Sequence, residues 1–164
     1  VTLEPFDLSS VAAEMLPKAW TPPAGAIRHE AEDVAAEGAV KGNVVEKVGA
    51  PGGVAHTTWD SPGQWAEWRI DVPQAGEYAL LIRAATVYDD VFRELAIDGE
   101  TVQVTAFGST GGWCRDTDDW RWFRLVTAEG APLAISLTAG EHTLRMTRLA
   151  SSLNLDAFAL VPVR

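Results

Sequence analysis

The segment 108–123, GSTGGWCRDTDDWRWF, holds the densest set of chemically capable side chains in the sequence. Trp113 follows Gly111 and Gly112, where the chain must turn, with no alternation to carry its ring inward. An exposed indole can stack on the apolar face of a sugar, while amides and carboxylates read the hydroxyls. Trp113 is therefore a candidate binding platform. Trp120 and Trp122 are two apart and share a strand face, so at least one is expected to be buried. Asp116, Asp118 and Asp119 offer carboxylates for glycoside hydrolysis. Three acids on one flexible segment equally suit a solvated or cation-binding loop. Cys114 would act as a nucleophile only with a histidine beside it; a small half-buried residue is the plainer reading. His29, His56 and His142 stand apart in different strand-like segments and read as satisfied or exposed. GSTGG lacks the spacing of a nucleophile elbow. The case for an enzyme is weak.

Two acidic stretches call for a cation. HEAED (29–33) puts Glu30 and Glu32 two apart on a strand, so both point the same way. Like charges on one face repel unless something positive lies between them, and a hard cation such as calcium suits all-oxygen ligands. A solvent-facing acidic strand is the alternative. NLDAF (154–158) sets Asp156 inside an apolar strand, where a carboxylate needs a partner. If the first and last strands pair, Glu30, Glu32 and Asp156 meet around one ion.

The elements that must position these residues are strands. WRIDV (68–72) puts Trp68, Ile70 and Val72 on one face, and YALLIRA (78–84) does the same for Tyr78, Leu80, Ile82 and Ala84. Leu133, Ile135 and Leu137 alternate, as do Leu144 and Met146. Turn signals at APGG, DSPG, QAGE, IDGE and TAGE separate them. About eleven antiparallel strands without a convincing helix imply an all-β sandwich or barrel. Residues 1–25 differ. SSVAAEMLPKAW reads as a short helix capped by Ser9 or Ser10 and stopped by Pro17, followed by a TPPAG linker. Trp20 would pack this arm onto the body or onto a neighbouring domain.

With 164 residues the chain can bury a core. A net charge of -10 argues against nucleic acid and anionic lipid as partners. One cysteine excludes an internal disulfide. No run is long enough for a membrane helix. The N-terminus, VTLEPFDLSS, is not a signal peptide and lacks Met, so the chain is expected to be a mature form or a piece of a longer protein.

From Ala26 to Arg164 the chain resembles the calcium-binding β-jelly-roll carbohydrate-binding modules of families 6, 35 and 36. The resemblance rests on order: Glu-Ala-Glu (30–32), GGVA (52–55), PGQWAEWRIDV (62–72), AGEYALLIRAA (75–85), LAIDGE (95–100), TGGW (110–113), LTAGEHTLRM (137–146) and NLDAF (154–158). It implies a jelly roll over 26–164 with residues 1–25 as an arm. It implies that Glu30, Glu32 and Asp156 hold a structural calcium, with a carbonyl from 41–45. It also implies that Trp113 stacks on sugar and Asn154 bonds its hydroxyls, with Trp59 or Tyr88 as a second aromatic; Trp65 and Trp68 are expected in the core. Arg115 suits a uronic acid carboxylate, while the aspartates around it suit a second calcium or exclusion of acidic sugars. The expected function is non-catalytic binding of a polysaccharide by a secreted, monomeric module that targets an attached catalytic domain. The alternative is a structural jelly roll that packs on such a domain, with Trp113 buried in the contact.

Overall fold

The computed structural model describes residues 10–38, 40–50 and 53–163. Among them there is no helix, and fourteen strands run in chain order: β1 (Val11–Ala12), β2 (Glu14–Met15), β3 (Ile27–Glu30), β4 (Ala36–Gly38), β5 (Asn43–Glu46), β6 (Val54–Thr57), β7 (Trp65–Val72), β8 (Gly76–Ala85), β9 (Val91–Ile97), β10 (Glu100–Phe107), β11 (Arg121–Arg124), β12 (Ala134–Leu137), β13 (Gly140–Ala150) and β14 (Asn154–Pro162). Strands of two or three residues, such as β1, β2 and β4, are too short to show alternation, which is why the expected number was lower.

The strands form a jelly-roll sandwich. The first sheet has the order β1-β10-β9-β13-β7-β4. The second runs β2-β11-β8-β14-β6-β5, with β12 also on β8 and β3 also on β14. The expected alternations set the core between them. Trp68, Ile70 and Val72 of β7 face Leu80, Ile82 and Phe158 of the other sheet, and Trp68 lies 4.5 Å from Phe158 between ring centroids. Each such buried side chain contributes ~1.5–3 kcal/mol.

Trp65 is not a core residue. It is three positions from Trp68, so the pleat turns it to the outer face, where the Arg145 guanidinium lies 3.9 Å over its ring. The second sheet is buried on both faces along β8 and β14. Ala79, Leu81, Ala157 and Ala159 line its outer side under Leu16, Trp20 and Trp122.

That outer layer explains the N-terminal arm. The expected helix is absent among the described residues; Ser9 lies outside them. Val11–Ala12 pair in parallel with Thr105–Ala106, and Glu14–Met15 pair with Phe123–Arg124 in the other sheet. A helix this short is marginal in water, whereas open sheet edges offer the backbone partners directly. Trp20 then meets Trp122 edge-on at 5.7 Å and packs the arm onto the body.

Candidate functional site

One end of the sandwich carries the loops that matter. A cleft of about 270 Å³ there is lined by Lys47, Thr57, Thr58, Asp60, Tyr88, Trp113, Arg115, Ser152 and Asn154. Four connections supply them: β5–β6, the end of β6, β8–β9 and the long β10–β11 loop, closed by the turn into β14.

The β10–β11 loop is braced from within. Gly111 takes φ +97°, and Gly112 sits so close to the Asp119 carboxylate that a Cβ would collide with it. Cys114 N–H donates to Asp119 Oδ2 at 3.0 Å, and Thr117 Oγ1 donates to Oδ1 at 3.0 Å. Asp118 accepts from Trp120 N–H at 3.1 Å and from Lys18 Nζ at 2.8 Å. The base is anchored by Trp120, which is buried, donates from Nε1 to Val48 O at 2.8 Å and lies under Arg83. Trp122 is buried too, in the outer layer.

Asp118 and Asp119 are thus loop braces. Asp116 is exposed and does not line the cleft, whose single carboxylate among the described residues is Asp60. Among the described residues, the cleft therefore lacks the pair of acids that hydrolysis requires. Cys114 is buried, and burial pushes its thiol up to about 12, which makes it a poor nucleophile at neutral pH.

Trp113 is half-buried and meets Tyr88 edge-on, centroids 5.7 Å apart at 73°. Tyr88 is 46% exposed. Asn154 Nδ2 donates to Trp113 O at 3.0 Å, so the amide that lines the cleft also holds the tryptophan's backbone. Arg115 lines the same cleft. Trp59 does not. Thr58 takes φ +69°, the chain turns inward after it, and Trp59 is fully buried against Trp68. Its Nε1 donates to His56 Nδ1 at 3.0 Å. Trp59 therefore cannot serve as the second aromatic. Lys47, Thr57, Thr58, Asp60 and Ser152 join the cleft without any short-range signal in the sequence; only the DSPG turn after Trp59 pointed nearby.

The acidic cluster lies on the outer side of the second sheet. β3 and β14 pair antiparallel, with Glu30 opposite Ala157. A bulge between Leu155 and Ala157 turns Asp156 toward Arg83. Arg83 donates to Asp156 Oδ2 at 2.8 Å and Arg28 donates to the same oxygen at 3.1 Å. Arg28 also donates from Nε to Glu30 Oε1 at 3.1 Å. Glu32 Oε1 and Asp156 Oδ1 are buried without a hydrogen-bond partner. Burial raises both carboxyls above the ordinary range, and the charge of Glu30 adds to each shift. Among the described residues, no three His, Cys, Asp or Glu side chains converge closely enough to hold a metal as they stand. Two orphaned hard oxygens near Glu30 are the donor type that a calcium ion takes; Arg28, bonded to Glu30 and Asp156, would compete with such an ion.

Residues 30–162 match the family described as carbohydrate binding module (family 6). The β-agarase AgaA of Microbulbifer thermotolerans is 27% identical over 96 residues, 57% of this chain and 20% of that protein. The chain thus spans about a fifth of this curated relative's length. Among solved structures, a family 35 carbohydrate binding module from Clostridium thermocellum aligns with TM-score 0.68 and 22% identity, over 85% of this chain and all of that one. A carbohydrate binding module from Cellvibrio mixtus lichenase 5A, in complex with cellotriose, aligns with TM-score 0.61 and 18% identity, over 85% and 98% of the two chains. The structural likeness bears on the fold alone. The family match runs from the first acidic strand to the last strand of the sandwich, and it establishes that the chain belongs to carbohydrate binding module family 6, a family of non-catalytic modules.

Proposed function

We propose that this module binds a polysaccharide in the loop-end cleft and so holds an attached, secreted carbohydrate-active enzyme near its substrate. The observation that carries this reading is the meeting of Trp113, Tyr88 and Asn154 in one open cleft. Trp113 presents its ring to the apolar face of a sugar. Tyr88 meets it edge-on and closes one side. Asn154, Thr57 and Thr58 lie where sugar hydroxyls can bond to them. The internal bonds of the β10–β11 loop hold the tryptophan in place before binding, which lowers the ordering cost. One stacked ring with solvent-competed hydrogen bonds makes a modest affinity.

The alternative, a domain that only packs on its neighbour, is less well supported. The described part of the arm that suggested it is folded onto the sandwich, and Tyr88 beside Trp113 is open.

The test is affinity electrophoresis against a panel of neutral and acidic polysaccharides, with Trp113→Ala beside the parent. Agarose and a β-glucan belong in the panel, because the curated relative is a β-agarase and the Cellvibrio mixtus module is described with cellotriose. Retardation by a glycan, reduced at least about tenfold in the variant, is the expected result. Equal retardation of both proteins, or none by any glycan, refutes the reading.

We also propose that Glu30, Glu32 and Asp156 hold a structural calcium. Glu32 Oε1 and Asp156 Oδ1 supply the free oxygens, and Glu30 joins them once released from Arg28. Bound calcium would neutralise the mutual repulsion of these carboxylates and tie β3 to β14.

A further inference from the structure

The cleft contains an electrostatic feature that neutral sugar does not use. The chain carries 23 acids against 13 lysines and arginines. Its described arginines are otherwise all engaged with carboxylates or backbone carbonyls: Arg28 and Arg83 with Asp156, Arg69 with Glu141, Arg93 with Ala150 O, Arg121 with Leu16 O, Arg124 with Glu14, Arg145 with Glu67 and Arg148 with Trp59 O. Lys18 is held by Asp118. Arg115 and Lys47, in contrast, have side chains without a hydrogen bond or ion pair among the described residues, and both line the cleft. The other unpartnered lysine, Lys41, does not.

Their proximity is built into the backbone. Val48 N–H donates to Cys114 O at 3.0 Å. This bond sets the residue before Val48 alongside the residue after Cys114. Cys114 itself is locked at φ +58° by the Asp119 carboxylate on its N–H, so Trp113 and Arg115 leave it in fixed directions. Two like charges on one cleft, neither in an ion pair among the described residues, repel each other. Glu46, which lines an adjoining cavity with both cations, and Asp116, next to Arg115, are exposed and make no ion pair with either among the described residues. The other nearby acids are engaged elsewhere. Asp118 and Asp119 are bonded inside the loop, Asp89 accepts from Ser109 N–H, and Asp90 accepts from Ser151 Oγ. Asp60 is the one carboxylate lining the cleft among the described residues, against two cations.

We propose that the cleft recognises a sugar bearing an anionic group, a carboxylate or a sulfate ester, with Arg115 and Lys47 receiving that group beside the ring stacked on Trp113. The guanidinium offers two parallel N–H donors to a planar or tetrahedral oxyanion, and the ammonium adds a point charge. The net charge of the whole chain, -10, opposes a long polyanion. The ligand is therefore a short acidic oligosaccharide, a chain end, or a sparsely charged chain. The inference rests on the glycan-binding reading above and adds the charge class of its ligand.

Isothermal titration calorimetry tests it with two matched pairs: trigalacturonate against its carboxyl-reduced trisaccharide, and a sulfated galactan oligosaccharide against its desulfated form. The proteins are the parent, Arg115→Gln, Lys47→Gln and Trp113→Ala, with melting temperatures as the control for folding. At least one acidic ligand is expected to bind more tightly than its neutral partner. Arg115→Gln and Lys47→Gln are each expected to weaken it about tenfold, the size of one charge-assisted hydrogen bond in a solvated cleft, with the neutral partner unaffected. Which pair responds separates carboxylate from sulfate. Binding of neutral ligands that needs Trp113 but ignores both cation variants overturns the charge inference and leaves the binding reading standing. Binding of no ligand in either pair, together with an unaffected Trp113→Ala in the electrophoresis above, overturns both.

Discussion

Trp59 and Trp113 show how one residue type reaches opposite ends through its backbone. A left-handed Thr58 turns Trp59 inward, where His56 Nδ1 accepts its indole N–H; His56 Nε2 is then the protonated nitrogen and donates to Glu37 Oε1 at 2.6 Å. Burial lowers the pKa of His56, so the neutral tautomer that makes this relay is the favoured one. His142 is the reverse case. Its Nδ1 donates to Asp98 Oδ2 at 2.6 Å and its Nε2 to Thr138 O at 2.8 Å. With both nitrogens donating, the imidazolium is favoured, and the bond to Asp98 raises the pKa first, the Thr138 carbonyl second. A folded value above the unfolded one means stability fully present below about pH 6.5 and lost as pH rises through the folded value. Asp98→Asn is expected to remove this component. The melting-temperature gap between parent and variant should shrink from pH 5.5 to pH 9; a gap of constant size would refute it.

At the scale of elements, the turn between β13 and β14 is held by side chains from other strands. Ser151 takes φ +61°, and its carbonyl and those of its two neighbours are all capped. Arg93, buried and stacked over Trp59, donates to Ala150 O at 2.9 Å and Ser151 O at 3.0 Å; Thr86 Oγ1 donates to Ser152 O at 2.8 Å. Burial pushes the Arg93 guanidinium down to about 9, a sign of how far it is from solvent. Thr86 Oγ1 also accepts from Tyr88 N–H, and Thr86 O accepts from Thr110 N–H. One hydroxyl thus links Tyr88 to the turn before Asn154, and one peptide links both to the tryptophan loop. Thr86→Val should leave the partly buried Ser152 carbonyl without its donor, at about 1 kcal/mol, and weaken glycan binding several-fold. Thr86→Ser should restore both. Unchanged affinity in Thr86→Val would show that the cleft does not depend on this link.

Over the whole molecule, distant parts of the chain are joined: β3 pairs with β14, and residues 11–15 pair with both sheets. The unpaired oxygens of Glu32 and Asp156 sit at that junction, so a cation there would act on the stability of the entire sandwich. At a calcium concentration about 100 times its Kd, linkage contributes about 2.7 kcal/mol. For a domain of this size, chelation should then lower the melting temperature by about 5–10 °C. Glu32→Gln should remove most of that response. A melting temperature indifferent to chelator and calcium would dismiss the site, and Arg28 would then be the lasting counter-charge of Glu30 and Asp156.

By itself the sequence determined the sandwich, because alternation at Trp68–Ile70–Val72 or Leu80–Ile82–Ala84 dictates which face is buried whatever the strand pairs with. It also determined that Trp113 stands on a turn, since two glycines and no alternation are local properties. Only the tertiary structure decided the rest. Residues 11–15 carry helix-compatible types, yet two free sheet edges claimed their backbones. Trp65 went outward by the parity of its strand, and Trp59 went inward by one residue's φ. Arg115 and Lys47, far apart in the chain, became neighbours through one backbone bond. Asp118 and Asp119 became braces because their partners, Lys18 and the peptides at Cys114 and Trp120, are set by the folded loop and by an arm about a hundred residues away. Contacts of that range leave no periodic trace in a sequence; they exist only once the loops have been closed by the sheets that carry them.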